Sequence, residues 1–267
     1  MATLHHVVEA QAAVKKALRA YSCPGRYEAK SAEQAILDDG DNSRIMFAGC
    51  ELAVTTWGKG PSVLLVHGWG GSRAQMTGFV GPLLAAGFRV VAFDQPAHGE
   101  SDGELTNLFE AASSMDQIAE REGCFQAIIA HSFGTLVTSY ALVECNFPPP
   151  ARLVYFGAHN RLADTLTRFQ AAANLPDVVM QGLRDFLDGR FGKNIVLSIA
   201  NEGLVPEISI PALMFHDVTD KVTPIEDSRA IARVWESAQL IETEGLGHRS
   251  ILRSDRINEQ VVEFLKT

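Results

Sequence analysis

Three features of the sequence predict an α/β fold with a mostly parallel central sheet flanked by helices and a small helical insertion. From Ser62 onward, β-favouring apolar runs alternate with helical stretches, the spacing of a parallel sheet covered on both faces. The runs are apolar throughout rather than alternating, as strands buried on both sides are. One interval, the roughly fifty residues between His159 and Ala212, is too long for a simple crossover and carries helical patterns of its own.

Each element follows in chain order. Residues 5–20 read as a helix and 22–43, rich in Ser, Gly, Asp and Asn, as an irregular arm, so 1–43 form a leader. Segments 44–47 and 51–57, split by Ala48-Gly49-Cys50, read as a β-hairpin at the sheet edge. Strands are predicted at 62–66, 89–94, 126–130, 153–157 and 212–215, with 239–242 the weakest. Helices fall near 74–86, 107–122, 133–145 and 224–237. The core is then 44–159 and 209–267. Residues 160–208, with helical patterns at 162–173 and 176–187, form a helical lid.

The 267 residues suit one such domain with a modest insertion. With 46% hydrophobic and 21% charged residues, the chain has an ordinary globular composition. A net charge of −9 argues against nucleic acid as a partner, since that binding depends on Lys and Arg neutralising phosphates. A small-molecule, neutral or apolar substrate fits better. Cys23, Cys50, Cys124 and Cys145 are widely spread, and charges interrupt the amphipathic leader. Free thiols, a cytoplasmic location and no membrane insertion are therefore expected.

The chemistry centres on Ala130-His131-Ser132-Phe133-Gly134, which joins a predicted strand directly to a predicted helix. A sharp strand-to-helix turn presents a serine hydroxyl at the carboxyl end of a sheet and needs small residues two before and two after it. Such a pattern arises by chance roughly 0.2 times in a chain this long, so its placement carries the weight. A serine hydroxyl needs a base to take its proton, and Gly245-Leu246-Gly247-His248 supplies His248 late in the chain. An acid should orient that imidazole, and the loop after strand 212–215 offers Asp217 and Asp220. Asp220 is preferred because it lies deeper in the loop, before Val222 and the helix-starting Pro224. The amides of Phe133 and of Trp69, in His67-Gly68-Trp69-Gly70-Gly71, could hold an oxyanion. That glycine-rich loop lacks the endings of phosphate-binding or dinucleotide motifs.

Together, His67-Gly68-Trp69-Gly70, Asp94-Gln95-Pro96-Ala97-His98-Gly99-Glu100-Ser101, the Ser132 segment, Asp220-Lys221-Val222-Thr223-Pro224 and Gly247-His248 resemble the α/β-hydrolase superfamily, in that family's order over about residues 44–265. The resemblance implies a serine hydrolase of carboxylesterase or lipase type with a Ser132, Asp220, His248 triad and no cofactor. It makes 94–101 a structural turn, in which Pro96-Ala97 departs from the commoner Arg-Gly. The same triad also serves thioesterases, perhydrolases and carbon-carbon bond hydrolases, and similar receptors keep it while only binding ligand.

The remaining histidines, His5, His6, His67, His98, His131 and His216, show no metal-ligand spacing, so no metal is expected. His159 ends a strand on the active-site side and is a possible substrate contact. The apolar residues of 160–208 include Met180, a flexible side chain suited to touching an acyl chain.

Overall fold

The computed structural model describes the backbone of residues 2–267 and the side chains from Gln11 onward. Eight strands form one sheet in the order β1-β2-β4-β3-β5-β6-β7-β8. The strands are β1 (Asp41–Phe47), β2 (Cys50–Trp57), β3 (Ser62–Val66), β4 (Arg89–Phe93), β5 (Ala127–His131), β6 (Arg152–Phe156), β7 (Ala212–Asp217) and β8 (Ala238–Thr243). β1 and β2 pair antiparallel, β2 pairs antiparallel with β4, and every remaining pair is parallel. The edge hairpin turns through Ala48 and Gly49, both at positive φ (48° and 84°), the backbone a tight two-residue hairpin needs.

Helices α1 (Ala2–Ser22) and α2 (Ser31–Asp38) precede the sheet, and α3 (Val80–Ala85), α4 (Leu108–Glu122) and α5 (Phe133–Glu144) alternate with its strands. Between β6 and β7 lie α6 (Leu162–Ala173), α7 (Asp177–Phe191), α8 (Ile195–Ser198) and α9 (Asn201–Leu204). The chain ends through α10 (Ile225–Val234), α11 (Gly247–Ser250) and α12 (Asp255–Lys266).

Alternation along the strands divides the core in two. Leu64 and Val66 of β3 and Ile128 of β5 face α4, α5 and the helices after β6, with Leu136, Leu166 and Leu183 among the buried partners. Val63, Leu65 and Ile129 face the other way, onto Phe79, Leu83 of α3 and Val261 of α12. Burying both faces is what makes these strands continuously apolar in sequence.

Two expectations need correction. The arm over 22–43 is not irregular throughout: Ser31–Asp38 is helical, started by the Glu33 carboxylate accepting from the Lys30 amide (2.9 Å) and anchored by buried Leu37. The strand that follows begins at Asp41 rather than at residue 44. The C-terminal helix α12, absent from the sequence reading, buries Ile257, Val261 and Leu265 at helical spacing. All four cysteines are free. Among the described residues no helix is long and apolar enough to cross a membrane.

Candidate active site

Ser132 is the single residue between the end of β5 and the start of α5. Its backbone sits at φ 54°, ψ −125°, a conformation that costs a residue with a side chain on the order of 1–3 kcal/mol and persists only where neighbours impose it. The neighbours are close. A Cβ on Gly134 would stand 2.5 Å from the His67 carbonyl oxygen, and one on Gly68 would stand 2.9 Å from the Ser132 Cβ. Glycine at both positions lets the β3 loop, the serine and the first turn of α5 meet without a collision. Ala130, fully buried, is the small residue two before the serine.

His248 is the second residue of the short helix α11, which opens at Gly247; Gly245 and Gly247 are both at positive φ (86° and 63°). Its Nδ1 and the Asp220 Oδ2 are 2.6 Å apart. The Asp220 side chain is 1% exposed, and its Oδ1 accepts from the amides of Val222 (2.7 Å) and Thr223 (3.0 Å). Burial alone would raise this carboxyl. The hydrogen bonds from His216, His248 and the Thr223 amide outweigh burial and hold it well below the usual carboxylate range.

Asp217 is engaged elsewhere. Its Oδ1 accepts from Thr219, by the amide at 3.0 Å and the hydroxyl at 2.5 Å, and its Oδ2 from the Thr243 hydroxyl and the Leu246 amide, both at 2.9 Å. It ties its own loop to the loop that carries His248.

Two further residues frame the pair. His131 packs its ring 4.5 Å from that of His248, and its Nε2 is 2.9 Å from the His248 carbonyl oxygen. Burial pushes His131 down to about 3, so it is a neutral imidazole donating Nε2–H. Gly157, at the end of β6, has φ 52°, and a Cβ there would lie 3.3 Å from His248 Nδ1 and 3.5 Å from Asp220 Oδ2. The sequence reading gave neither residue a role. His131 was visible inside the serine motif, and Gly157 as a glycine closing a strand.

A cavity of about 840 Å³ opens at the carboxyl ends of the central strands, within the range of small-molecule sites. Ser132, His248, Trp69, Phe133 and His159 all line it. Trp69 and Phe133 also pack edge to face, 5.4 Å between ring centres. Met180 does not line it: at 0% exposure it is committed to the core beside Leu183, where the apolar face of α7 turns inward. Leu18 and Tyr21 of α1 join the cavity wall, Tyr21 through Thr165 (2.5 Å) and a ring contact with Phe169. The leader is thereby part of the site, which its amphipathic sequence did not reveal.

A family model described as the alpha/beta hydrolase family matches residues 63–260. The chain belongs to that family. Within this alpha/beta hydrolase, 50 residues are 48% identical to the pimeloyl-[acyl-carrier protein] methyl ester esterase of Methylococcus capsulatus, a match spanning 19% of the chain and 19% of that relative. Among solved structures, the esterase EaEST from Exiguobacterium antarcticum gives a TM-score of 0.66 at 17% identity, over 85% of this chain and 100% of that one. The bromoperoxidase from Bacillus anthracis gives 0.68 at 16% identity with the same coverage. The Pyrococcus furiosus esterase Pf2001 gives 0.66 at 20% identity, over 92% of this chain and 96% of that one. These are likenesses of fold.

Proposed function

We propose that this hydrolase cleaves a carboxylic ester or thioester through an acyl-enzyme on Ser132. The observation that carries the reading is the 2.6 Å contact of His248 with the buried Asp220, on the same cavity as a serine held in a strained turn. Asp220, ionised, keeps the His248 proton on Nδ1 and leaves Nε2 to accept the Ser132 proton. As Ser132 Oγ attacks the carbonyl carbon, His248 becomes an imidazolium that Asp220 stabilises. The oxyanion is held by the amides of Trp69 and Phe133. The second is the first amide of α5, which has no acceptor within its helix and lies at the positive end of the dipole. His248 returns the proton to the departing alcohol or thiol, and water then releases the acid by the same steps reversed.

Residues 160–208 act as the lid in this proposal, and the four free thiols fit a reducing, cytoplasmic setting. The test is a panel of p-nitrophenyl esters and matched thioesters graded by acyl length, assayed with wild type and Ser132→Ala. Turnover that falls by about 10⁵ or more in Ser132→Ala, with folding intact by circular dichroism, is the expected outcome. Faster turnover of peroxide plus a carboxylic acid, or of a diketone, moves the assignment to a perhydrolase or a carbon-carbon hydrolase.

A further inference from the structure

The cavity wall is charged against the trend of the chain. The protein carries a net charge of −9, yet Arg168, Arg190 and Arg249 line the cavity against a single carboxylate, Glu110. Between them the wall is largely apolar, with Leu108, Phe109, Phe169 and Phe191 among its residues. Arg190 lies 5.3 Å over the Phe191 ring, and Arg249 directly follows His248 in the chain.

Arg168, on α6, is tied to the centre of the site. Its Nη2 donates to His159 Nδ1 at 2.8 Å, and the His159 ring stands 6.5 Å from that of Phe133, the residue after Ser132. Desolvation by burial, with Arg168 adding to it, pushes His159 down to about 3, so the imidazole is a neutral acceptor that brings no negative charge of its own to the arginine. Asp227 lies beyond the imidazole, 3.7 Å from His159 Nδ1, and also accepts from the Asn160 amide. Among the described residues no carboxylate lies within ion-pair distance of Arg168, although its charge reaches Asp227 and offsets part of what burial does to that carboxyl. A guanidinium has five N–H donors in a planar fork that matches two oxygens of one oxyanion at a time. Arg168 is exposed at the cavity, so its remaining donors face water there, and an oxyanion taking the place of that water would gain a charge-assisted, two-pronged pair beside a mostly apolar wall.

We propose that Arg168, oriented by His159, is a specificity-determining residue that anchors an anionic group, a carboxylate or a phosphate, on an otherwise apolar ester. This rests on the Ser132 reading and sharpens its substrate class: the ester is amphiphilic rather than neutral. Arg190 and Arg249 add positive potential along the approach, which draws an anion toward the cavity.

The experiment compares three p-nitrophenyl esters of equal chain length, ending in a carboxylate, a phosphate or a methyl group, on wild type, Arg168→Met and Arg168→Lys. In wild type one charged ester is expected to exceed the methyl-ended one at least tenfold in kcat/KM, and its terminus identifies the anion. Arg168→Met is expected to lower the charged-to-neutral ratio about 100-fold, Arg168→Lys to restore part of it, and added salt to shrink it. A wild-type ratio of one or less, or an unchanged ratio in Arg168→Met, overturns the anchor. Calorimetric binding of the released acids to Ser132→Ala, with and without Arg168→Met, reads the same property without turnover. Equal affinities overturn the anchor and leave the Ser132 chemistry standing. Arg168-dependent binding by a wild-type protein that cleaves no ester overturns the Ser132 reading alone.

Discussion

The floor of the cavity, at the carboxyl ends of β3, β5, β6 and β7, is held by backbone fixed from several sides. Its wall, from α1, α6 and α7, is made of side chains on helices that reach over from outside the sheet. On the floor, Gly68, Gly134 and Gly157 admit no Cβ without a close contact, and His67, His98, His131 and His159 are buried. On the wall, Phe186 is 47% exposed, and the arginines meet neutral groups or solvent. Under the proposed function the contrast separates two tasks: the floor would fix atoms for one chemistry, and the wall would select what reaches them. Changes on the floor should therefore act on kcat, and changes on the wall on KM and substrate preference.

The sharpest break in that division comes from the two acids on one loop. Asp220→Asn, which keeps shape but removes the charge beside His248 Nδ1, is expected under the proposed mechanism to lower kcat by about 10⁴. Asp217→Asn removes a carboxylate that accepts from four donors. It should lower the melting temperature by several degrees while leaving at least a tenth of kcat/KM. Equal losses of activity in both variants would dissolve the distinction between orienting acid and loop tie. Next in size, Gly68→Ala sets a methyl group against the Ser132 Cβ and should cost about 10² in kcat with little change in KM, read from steady-state kinetics.

Acid should undo the floor first. His67, held down to about 4, and His98, His131 and His159, held down to about 3, are neutral when folded but protonate near 6.5 when unfolded. Between those limits the unfolded chain binds more protons. Each histidine's contribution is thus present above pH 6.5 and declines as pH falls, by up to about 1.4 kcal/mol per pH unit. Urea midpoints measured from pH 7 to pH 4.5 should fall steeply, and replacing His159 with Gln should flatten the curve. The smallest effect belongs to the wall: Tyr21→Phe removes the hydrogen bond to Thr165 and should cost about 1 kcal/mol of stability and a few-fold in KM. A large fall in kcat there would mean that α1 helps to set the floor.

The same contrast decides what could be read from the sequence. The floor was legible because its demands are local: small residues around Ser132, glycines in the His67 and His248 loops, and an acid after β7 each leave a mark within a few positions. The parallel strands were legible because burial on both faces removes polar residues from them. The wall was not legible in this way. Whether Met180 or Phe186 on α7 turns to the cavity depends on how the helix is rotated against the core, and both are apolar. Tyr21 meets Thr165 across 144 residues, a contact that no local pattern announces. Helix α2 was missed because its start uses Glu33 reaching back to the Lys30 amide, not a Ser, Thr, Asp or Asn cap.

The central claim is that Ser132 is an activated nucleophile, and a fluorophosphonate reagent tests it most directly, because it bonds only to a serine whose proton a base removes. Folded wild-type protein should take up one equivalent, found by peptide mass spectrometry on Ser132, with labelling slowed strongly in Asp220→Asn and absent in Ser132→Ala. A folded wild-type protein that takes up no reagent, or takes it up equally in Ser132→Ala, would contradict the account.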